Sequence, residues 1–299
     1  MSDRVIELQQ VEKHYPFFSL DKIDLAMSRG QIMGFIGANG AGKSTTIRII
    51  MSLIQQDAGA VSVLGHDMPR QQVEAKWDIG YATEDMRLYG HATLAWHMQF
   101  IASIYPGWDA AYAKKLLKSF DLIPEQRIKG LAHGQRVKAG LLLALARRPK
   151  LLILDEPTIG LDPVARQEVL AELMKVLAQE DRSVLFSSQN THDVEQLSDT
   201  ITFIDRGRIV DSRDKESFLE RWRRLRLVIP DEIELPRLPG IVDINTSGRG
   251  ATVTVNEYRH ELTAALQNAG ARVRSVEVMT LEEIFVANVM ANRKERGDE

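Results

Sequence analysis

Polar and apolar residues alternate at the start of the chain and predict two half-buried antiparallel strands, at 4–12 and 20–27, with Ile23, Leu25 and Met27 on one face and Asp24, Ala26 and Ser28 on the other. The pattern then changes to an apolar run, Ile32-Met33-Gly34-Phe35-Ile36, a glycine-rich turn and a helix over about 43–56. Gln56-Asp57-Ala58-Gly59 predicts a turn, 60–65 a short strand, and 79–84 a strand running into a polar loop. Helical spacing covers 88–130, broken at Tyr105-Pro106-Gly107 and Leu122-Ile123-Pro124. Most of its large side chains, Trp96, Met98, Phe100, Trp108 and Tyr112, are expected to form a small core of their own.

A second helical stretch carries Val137, Leu141, Leu142 and Leu145 and stops near Arg147-Arg148-Pro149, where cations and a proline suit a helix end. Leu151-Leu152-Ile153-Leu154 is a continuous apolar run of the kind that forms a buried central strand of a parallel sheet. Asp162 before Pro163 caps another helix. A strand at 183–187, a short helix through Val194 and Leu197, and strands at 201–204 and 207–210 complete a first domain, placed at 1–212 with a helical part at 88–130.

The remainder, 213–299, has short strands at 225–229, 241–245, 251–255 and 273–279 with helices between them, a small α+β domain. Thr280-Leu281-Glu282-Glu283 is a capping box for the last helix, with Leu281, Ile284, Phe285 and Val289 on one face, and 292–299 is expected to fray. The basic run Arg221-Trp222-Arg223-Arg224-Leu225-Arg226 suits a lipid or nucleic-acid contact, but as a charge run it is better read as a solvated helix end leading into a strand.

Composition narrows the function classes. The 299 residues are 44% hydrophobic and 26% charged with a net charge of −3, so no polycationic signature points to nucleic acid. Zero cysteines remove disulfides, thiolate metal sites and cysteine nucleophiles. No window approaches the roughly 20 apolar residues of a membrane span, and the N-terminus lacks a secretory pattern, so a cytoplasmic protein is expected, with any membrane role supplied by a partner.

The chemistry centres on Gly37-Ala38-Asn39-Gly40-Ala41-Gly42-Lys43-Ser44-Thr45. A glycine-rich loop between a strand and a helix turns backbone N–H groups around a triphosphate of ATP or GTP, and the helix dipole adds to them. Lys43 supplies a point charge to the phosphates, and the Ser44 hydroxyl a ligand for Mg²⁺. Asp155-Glu156-Pro157 ends the apolar run where open α/β sheets bind ligands: Asp155 is placed to hold the Mg²⁺ shell, directly or through water, and Glu156 to orient or deprotonate an attacking water. Tyr15 either stacks on an adenine face or packs on the core; the residues alone leave both open.

With these motifs in order, the chain resembles the ATP-binding cassette of ABC transporters over roughly residues 4–211. The resemblance implies an α/β P-loop NTPase of ABC type, with an antiparallel β subdomain, a helical subdomain and a small C-terminal α+β domain. It implies that Leu131-Ala132-His133-Gly134-Gln135 is the signature motif, Glu84 the Q-loop position and a contributor to the metal shell, Gly160-Leu161-Asp162 the D-loop, Gln189 the switch position and Tyr15 the adenine-stacking residue. The nucleotide-binding set is then Tyr15, Asn39, Gly40, Ala41, Gly42, Lys43, Ser44 and Thr45; the metal set Ser44, Glu84 and Asp155; the catalytic set Glu156, Gln189 and Glu84. In this family two cassettes, as a homodimer or a heterodimer, cap each other's ATP with their signature motifs beneath an integral-membrane permease. The region between Glu84 and Leu131 would hold the groove that receives it. The tail domain is similar to those of exporters whose permease is a separate chain.

Three positions depart from the family pattern. Ala132 and His133 stand where the signature usually has serine and glycine, Glu84 stands where glutamine is commonest, and Gln189 replaces a histidine that contacts the γ-phosphate. Glutamine donates a hydrogen bond but carries no charge, so slowed hydrolysis with intact ATP binding is expected. The alternative reading is an ABC-type ATPase acting on ribosomes or DNA; a phosphotransferase is poorer, since Glu156 suits water as the acceptor.

Overall fold

The computed structural model describes residues 3–83, 86–177, 182–230 and 235–297, with side chains of 176–177 left aside. The chain divides into two compact units, Met1–Ile209 and Val210–Glu299. In the first unit, β1 (Arg4–Tyr15) and β2 (Phe18–Ser28) form a long antiparallel hairpin. The sequence alternation is reproduced in β2, where Ile23, Leu25 and Met27 are buried. β3 (Ile32–Ile36) leads through the glycine-rich loop into α1 (Lys43–Ile50), and β4 (Ala58–Val63) and β5 (His66–Met68) join the hairpin in a sheet of order β2-β1-β4-β5.

Next come α2 (Gln72–Trp77), β6 (Ile79–Thr83), α3 (Leu94–Ile104), α4 (Ala110–Ser119), α5 (His133–Leu145) and β7 (Leu151–Asp155). The unit ends with α6 (Pro163–Leu177), β8 (Ser183–Ser188), α7 (Thr191–Leu197), β9 (Thr200–Asp205) and β10 (Arg208–Asp214), the division between units falling within β10. The second sheet has the order β10-β9-β3-β8-β7-β6, and the pairings of β3 with β8 and β9, of β7 with β8 and of β6 with β7 are parallel. Every residue of β7 is buried, as its unbroken apolar run requires. One core spans both sheets: Ile47 and Ile50 of α1 join Ile6, Leu25 and Val61 on the antiparallel side and Phe35, Ile153 and Leu185 on the parallel side. The loop before α1 is therefore fixed between two sheets.

In the second unit, α8 (Lys215–Arg221), β11 (Arg223–Val228), β12 (Ile241–Ser247), β13 (Gly250–Val255), α9 (His260–Asn268), β14 (Arg272–Val278) and α10 (Leu281–Arg296) follow in order. Its antiparallel sheet, β12-β13-β11-β14, buries Leu225, Leu227, Val253 and Val255 against Leu262 and Leu266 of α9. The basic run is absorbed here. Trp222 is buried, Arg224 pairs with Glu283 at 2.6 Å and Arg226 with Glu277 at 2.7 Å.

Several expectations are corrected. The first helix stops at Ile50 rather than near Gln56, because Ser52 takes a positive φ of 48° and the Leu53 amide turns back to the Arg48 carbonyl. Ala58 and Gly59 belong to β4 rather than to a turn, and Glu12 pairs with Ala58. None of Trp96, Met98, Phe100, Trp108 and Tyr112 is fully buried. Leu94 and His97 point α3 inward, which leaves Trp96 and Phe100, four residues apart, stacked on each other on the outer face with centroids 5.2 Å apart. The buried apolar residues of the helical region are instead Leu94, Ala113, Leu116, Phe120, Leu122 and Ile128. Residues 292–296 remain helical rather than frayed: the basic side chains Arg293, Lys294 and Arg296 suit the last turn, and Gly297 closes it in the left-handed region at φ 69°.

The capping box of α10 forms as expected, with the Glu283 amide donating to Thr280 Oγ1 and the Thr280 amide to Glu283 Oε2. That amide, and then the Arg224 guanidinium, hold the Glu283 carboxyl below its usual range. Thr280→Ala is expected to cost about 1 kcal/mol and Thr280→Ser much less, measured by equilibrium urea unfolding.

Candidate functional site

The C-terminal ends of β3, β7 and β8 converge, because parallel pairing sets Ile36 beside Ser188 and Asp155 beside Ser187. The loop after β3 needs glycine at 42: its φ is 113°, and a Cβ there would lie 2.7 Å from Leu20 Cδ2 and 3.0 Å from Phe18 Cζ. Ala38, Asn39 and Gly40 are exposed, whereas Lys43 is only 5% exposed. The Lys43 ammonium donates to the Gly37 carbonyl at 2.7 Å and lies 3.1 Å from Glu156 Oε1.

Asp155 is buried, and its Oδ1 accepts hydrogen bonds from Ser187 Oγ at 2.6 Å and Ser44 Oγ at 3.1 Å. Ser187 Oγ in turn accepts from the Glu156 amide at 3.0 Å. Glu156 Oε2 accepts from the Gln189 amide at 3.2 Å, while the Gln189 side chain is exposed. Glu156 itself has a φ of 52°, a left-handed conformation that non-glycine residues seldom adopt. Lys43, Ser44, Asp155, Glu156 and the backbone of Gln189 thus form one connected cluster. Ser44 and Asp155 offer two hard oxygen donors side by side. Among the described residues no group of three or more His, Cys, Asp or Glu could hold a metal, so a cation at this pair would complete its shell with phosphate or water oxygens.

Tyr15 ends β1 at the hairpin tip, 42% exposed, with its ring stacked beside Phe18 at 6.4 Å between centroids. Thr83, at the end of β6, pairs with Asp155, and Glu84 lies outside the described residues. The signature candidates gather around the start of α5. Leu131 is buried, Ala132 precedes the helix, Gln135 Oε1 accepts from the Ala132 amide at 3.0 Å, and His133 Nε2 lies 3.2 Å from the Ile159 carbonyl. Gly134 faces Leu161 and Ala165, which would lie 3.4 and 3.6 Å from a Cβ placed there. Asp162 caps α6 by accepting from the amides of Val164 and Ala165, and those bonds, Ala165's above all, hold its carboxyl below the usual range.

Residues that the motifs did not signal tie these groups together. Ser187 bridges Asp155 and the Glu156 amide. Buried Asp193 accepts from Thr158 Oγ1 at 2.7 Å and from Arg166 Nε at 2.8 Å, joining α7, the turn after Glu156 and α6. Phe18 sits against Gly42, a second aromatic beside the loop. The only sequence signal for Ser187 is its place at the end of an apolar strand.

A family model described as ABC transporter matches residues 20–159. The chain is 27% identical over 292 residues to the ABC transporter ATP-binding protein YtrB of Bacillus subtilis (strain 168), covering 97% of this chain and 100% of that one. It is 30% identical over 305 residues to the daunorubicin resistance ATP-binding protein DrrA3 of Streptomyces coeruleorubidus, covering 96% of each. Among solved structures, the ATP-binding subunit of an ABC transporter superposes with a TM-score of 0.65 at 26% identity, over 72% of this chain and 92% of that one. The ATP-binding cassette MJ0796, bound to ADP and Pi as a dimer, is similar in fold, with a TM-score of 0.63 at 20% identity over 70% of this chain and 98% of that one.

Replacing Ser187 removes a donor from buried Asp155 and an acceptor from the Glu156 amide. Ser187→Ala is expected to lower stability by about 1–3 kcal/mol, read by thermal unfolding.

Proposed function

The chain belongs to the ABC transporter ATP-binding proteins, ATPases whose cassettes bind ATP or ADP, and from this premise we propose that it powers a separately encoded membrane permease of an exporter. Relatives named for drug resistance that match it nearly end to end support the export direction. Among the described residues no helix is long and apolar enough to cross a membrane, consistent with a span supplied by another chain. Names of this kind do not favour the ribosome or DNA alternative. Two copies, or this chain and a relative, would pair with the signature element of one facing the phosphate loop of the other, Leu131, Ala132, His133, Gly134 and Gln135 presenting the N-terminus of α5.

The cluster at the ends of β3, β7 and β8 is the observation that carries the ATPase chemistry. The amides of 39–45 and the Lys43 ammonium bind the phosphates, with Tyr15 beside the base. Ser44 and Asp155 would hold Mg²⁺, with Glu84 as a further contributor; bound there, the ion neutralises phosphate charge as it develops. Glu156 orients a water and accepts its proton, and Asp162 fixes the start of α6 behind it. Gln189, its amide already on the Glu156 carboxylate, offers the γ-phosphate a neutral donor in place of a charged one, so turnover is slow while ATP binding persists.

Three measurements test this reading. Glu156→Gln is expected to lower ATP turnover by on the order of 10²-fold or more with binding retained. Gln189→His is expected to raise it by about tenfold, some 1.4 kcal/mol of barrier, and equal rates for both proteins would remove position 189 from the mechanism. In cells the chain should co-purify with a multispanning membrane protein, and its recovery free of any such protein would count against the permease partner.

A further inference from the structure

The left-handed backbone of Glu156 has to be held by its surroundings, since a non-glycine residue keeps such a φ only where neighbouring contacts over-determine it. Three of those contacts are local to the strand ends: the Glu156 amide on Ser187 Oγ, its carboxylate on Lys43, and its carbonyl, which accepts from the Ile159 amide at 3.3 Å. The last bond closes the turn 156–159 from inside, and the Leu161 amide continues it onto the Thr158 carbonyl at 3.3 Å. The outward-facing carbonyl of Ile159 is met by His133 Nε2 at 3.2 Å, from the first residue of α5.

The approach also brings His133 close to the next residue, whose left-handed backbone favours glycine. Gly160 has a φ of 67°, and a Cβ on it would come within 3.1 Å of His133 Nε2. The contact also continues along the two helices: Gly134 lies against Leu161 and Ala165, and one turn further on the buried Lys138 is ion-paired with Glu168 of α6. His133 and Pro157 further share the lining of a small cavity of about 40 Å³ with Thr83 and Met86.

We propose that His133 is a positioning residue for hydrolysis, its imidazole latching the turn that holds Glu156 in place. A carbonyl oxygen only accepts, so Nε2 carries the hydrogen, and both the Nε2–H tautomer and the imidazolium supply it. The latch therefore survives protonation. The glycine that the signature element usually has at this position offers no side chain for such a contact, which makes the substitution a support acting within one chain. The link to hydrolysis rests on the reading of Glu156 as the residue that handles water; the latch on the turn does not.

The test uses the full chain with His133→Ala and His133→Asn, the second of which keeps an N–H donor, and Glu156→Gln as reference. Single-turnover hydrolysis, the Kd for Mg-ATP and amide hydrogen exchange over 157–161 are measured. His133→Ala is expected to slow single-turnover hydrolysis about tenfold with Kd within about twofold, and to accelerate exchange of the Ile159 and Leu161 amides; His133→Asn is expected to recover much of both. Unchanged exchange overturns the latch, and accelerated exchange with an unchanged or faster hydrolysis rate overturns the positioning role. A weakened Kd with unchanged chemistry overturns it as well, making His133 a nucleotide contact instead. If Glu156→Gln leaves hydrolysis intact, the reading of Glu156 fails by itself, and exchange still decides whether the latch exists.

Discussion

A carboxylate at the end of a wholly apolar strand must be given hydrogen-bond donors, and that demand organises the first unit. Asp155 is 3% exposed, and its donors come from Ser187 on the adjacent strand and from Ser44 in the first turn of α1. Both are in reach only because β8 lies between β3 and β7 in the parallel sheet. Once the three strand ends are aligned in this way, the backbone that follows each of them has little freedom. Lys43, at the end of the glycine-rich loop, and the backbone of Gln189 both end up against Glu156.

The support extends through groups placed far from the glycine-rich loop in sequence. Asp193 gathers Thr158 and Arg166, so the start of α7, the turn after β7 and α6 are tied to one another. A buried carboxylate with charged and neutral donors of this kind is costly to break by removing one partner, which favours a fixed arrangement over a loose one. The second unit has a core of its own under an antiparallel sheet, and there Arg224 and Arg226 of the basic run are matched by acids on neighbouring elements.

What the sequence made legible was what a local pattern encodes. The apolar run before Asp155 and the glycine spacing up to Lys43 each specify a strand end or a loop without reference to the rest of the chain, and both stand where the pattern put them. The capping box at Thr280 is legible for the same reason. Trp96 and Phe100 were misplaced because composition says only that they are apolar, whereas the phase set by Leu94 and His97 decides that they face outward. Charge density suggested fraying beyond Asn292, although cations favour the C-terminal turn of a helix. Ser187, Asp193 and Arg166 carried no motif, since their roles come from strand order and from contacts between residues about thirty positions apart. Of the sites named from the family pattern, Glu84 alone falls outside the described residues.

The pairing of Lys43 with Glu156 gives the loop a charge threshold. Any anion that draws the ammonium to itself does so in competition with a carboxylate already 3.1 Å away and with the Gly37 carbonyl. A singly charged guest offers no more than Glu156 does, whereas a polyphosphate replaces that attraction with a greater one. The same displacement would take one contact from the glutamate, whose Oε2 still accepts from the Gln189 amide. Capture of an anion by Lys43 and loss of that ion pair by Glu156 are therefore a single exchange of partners.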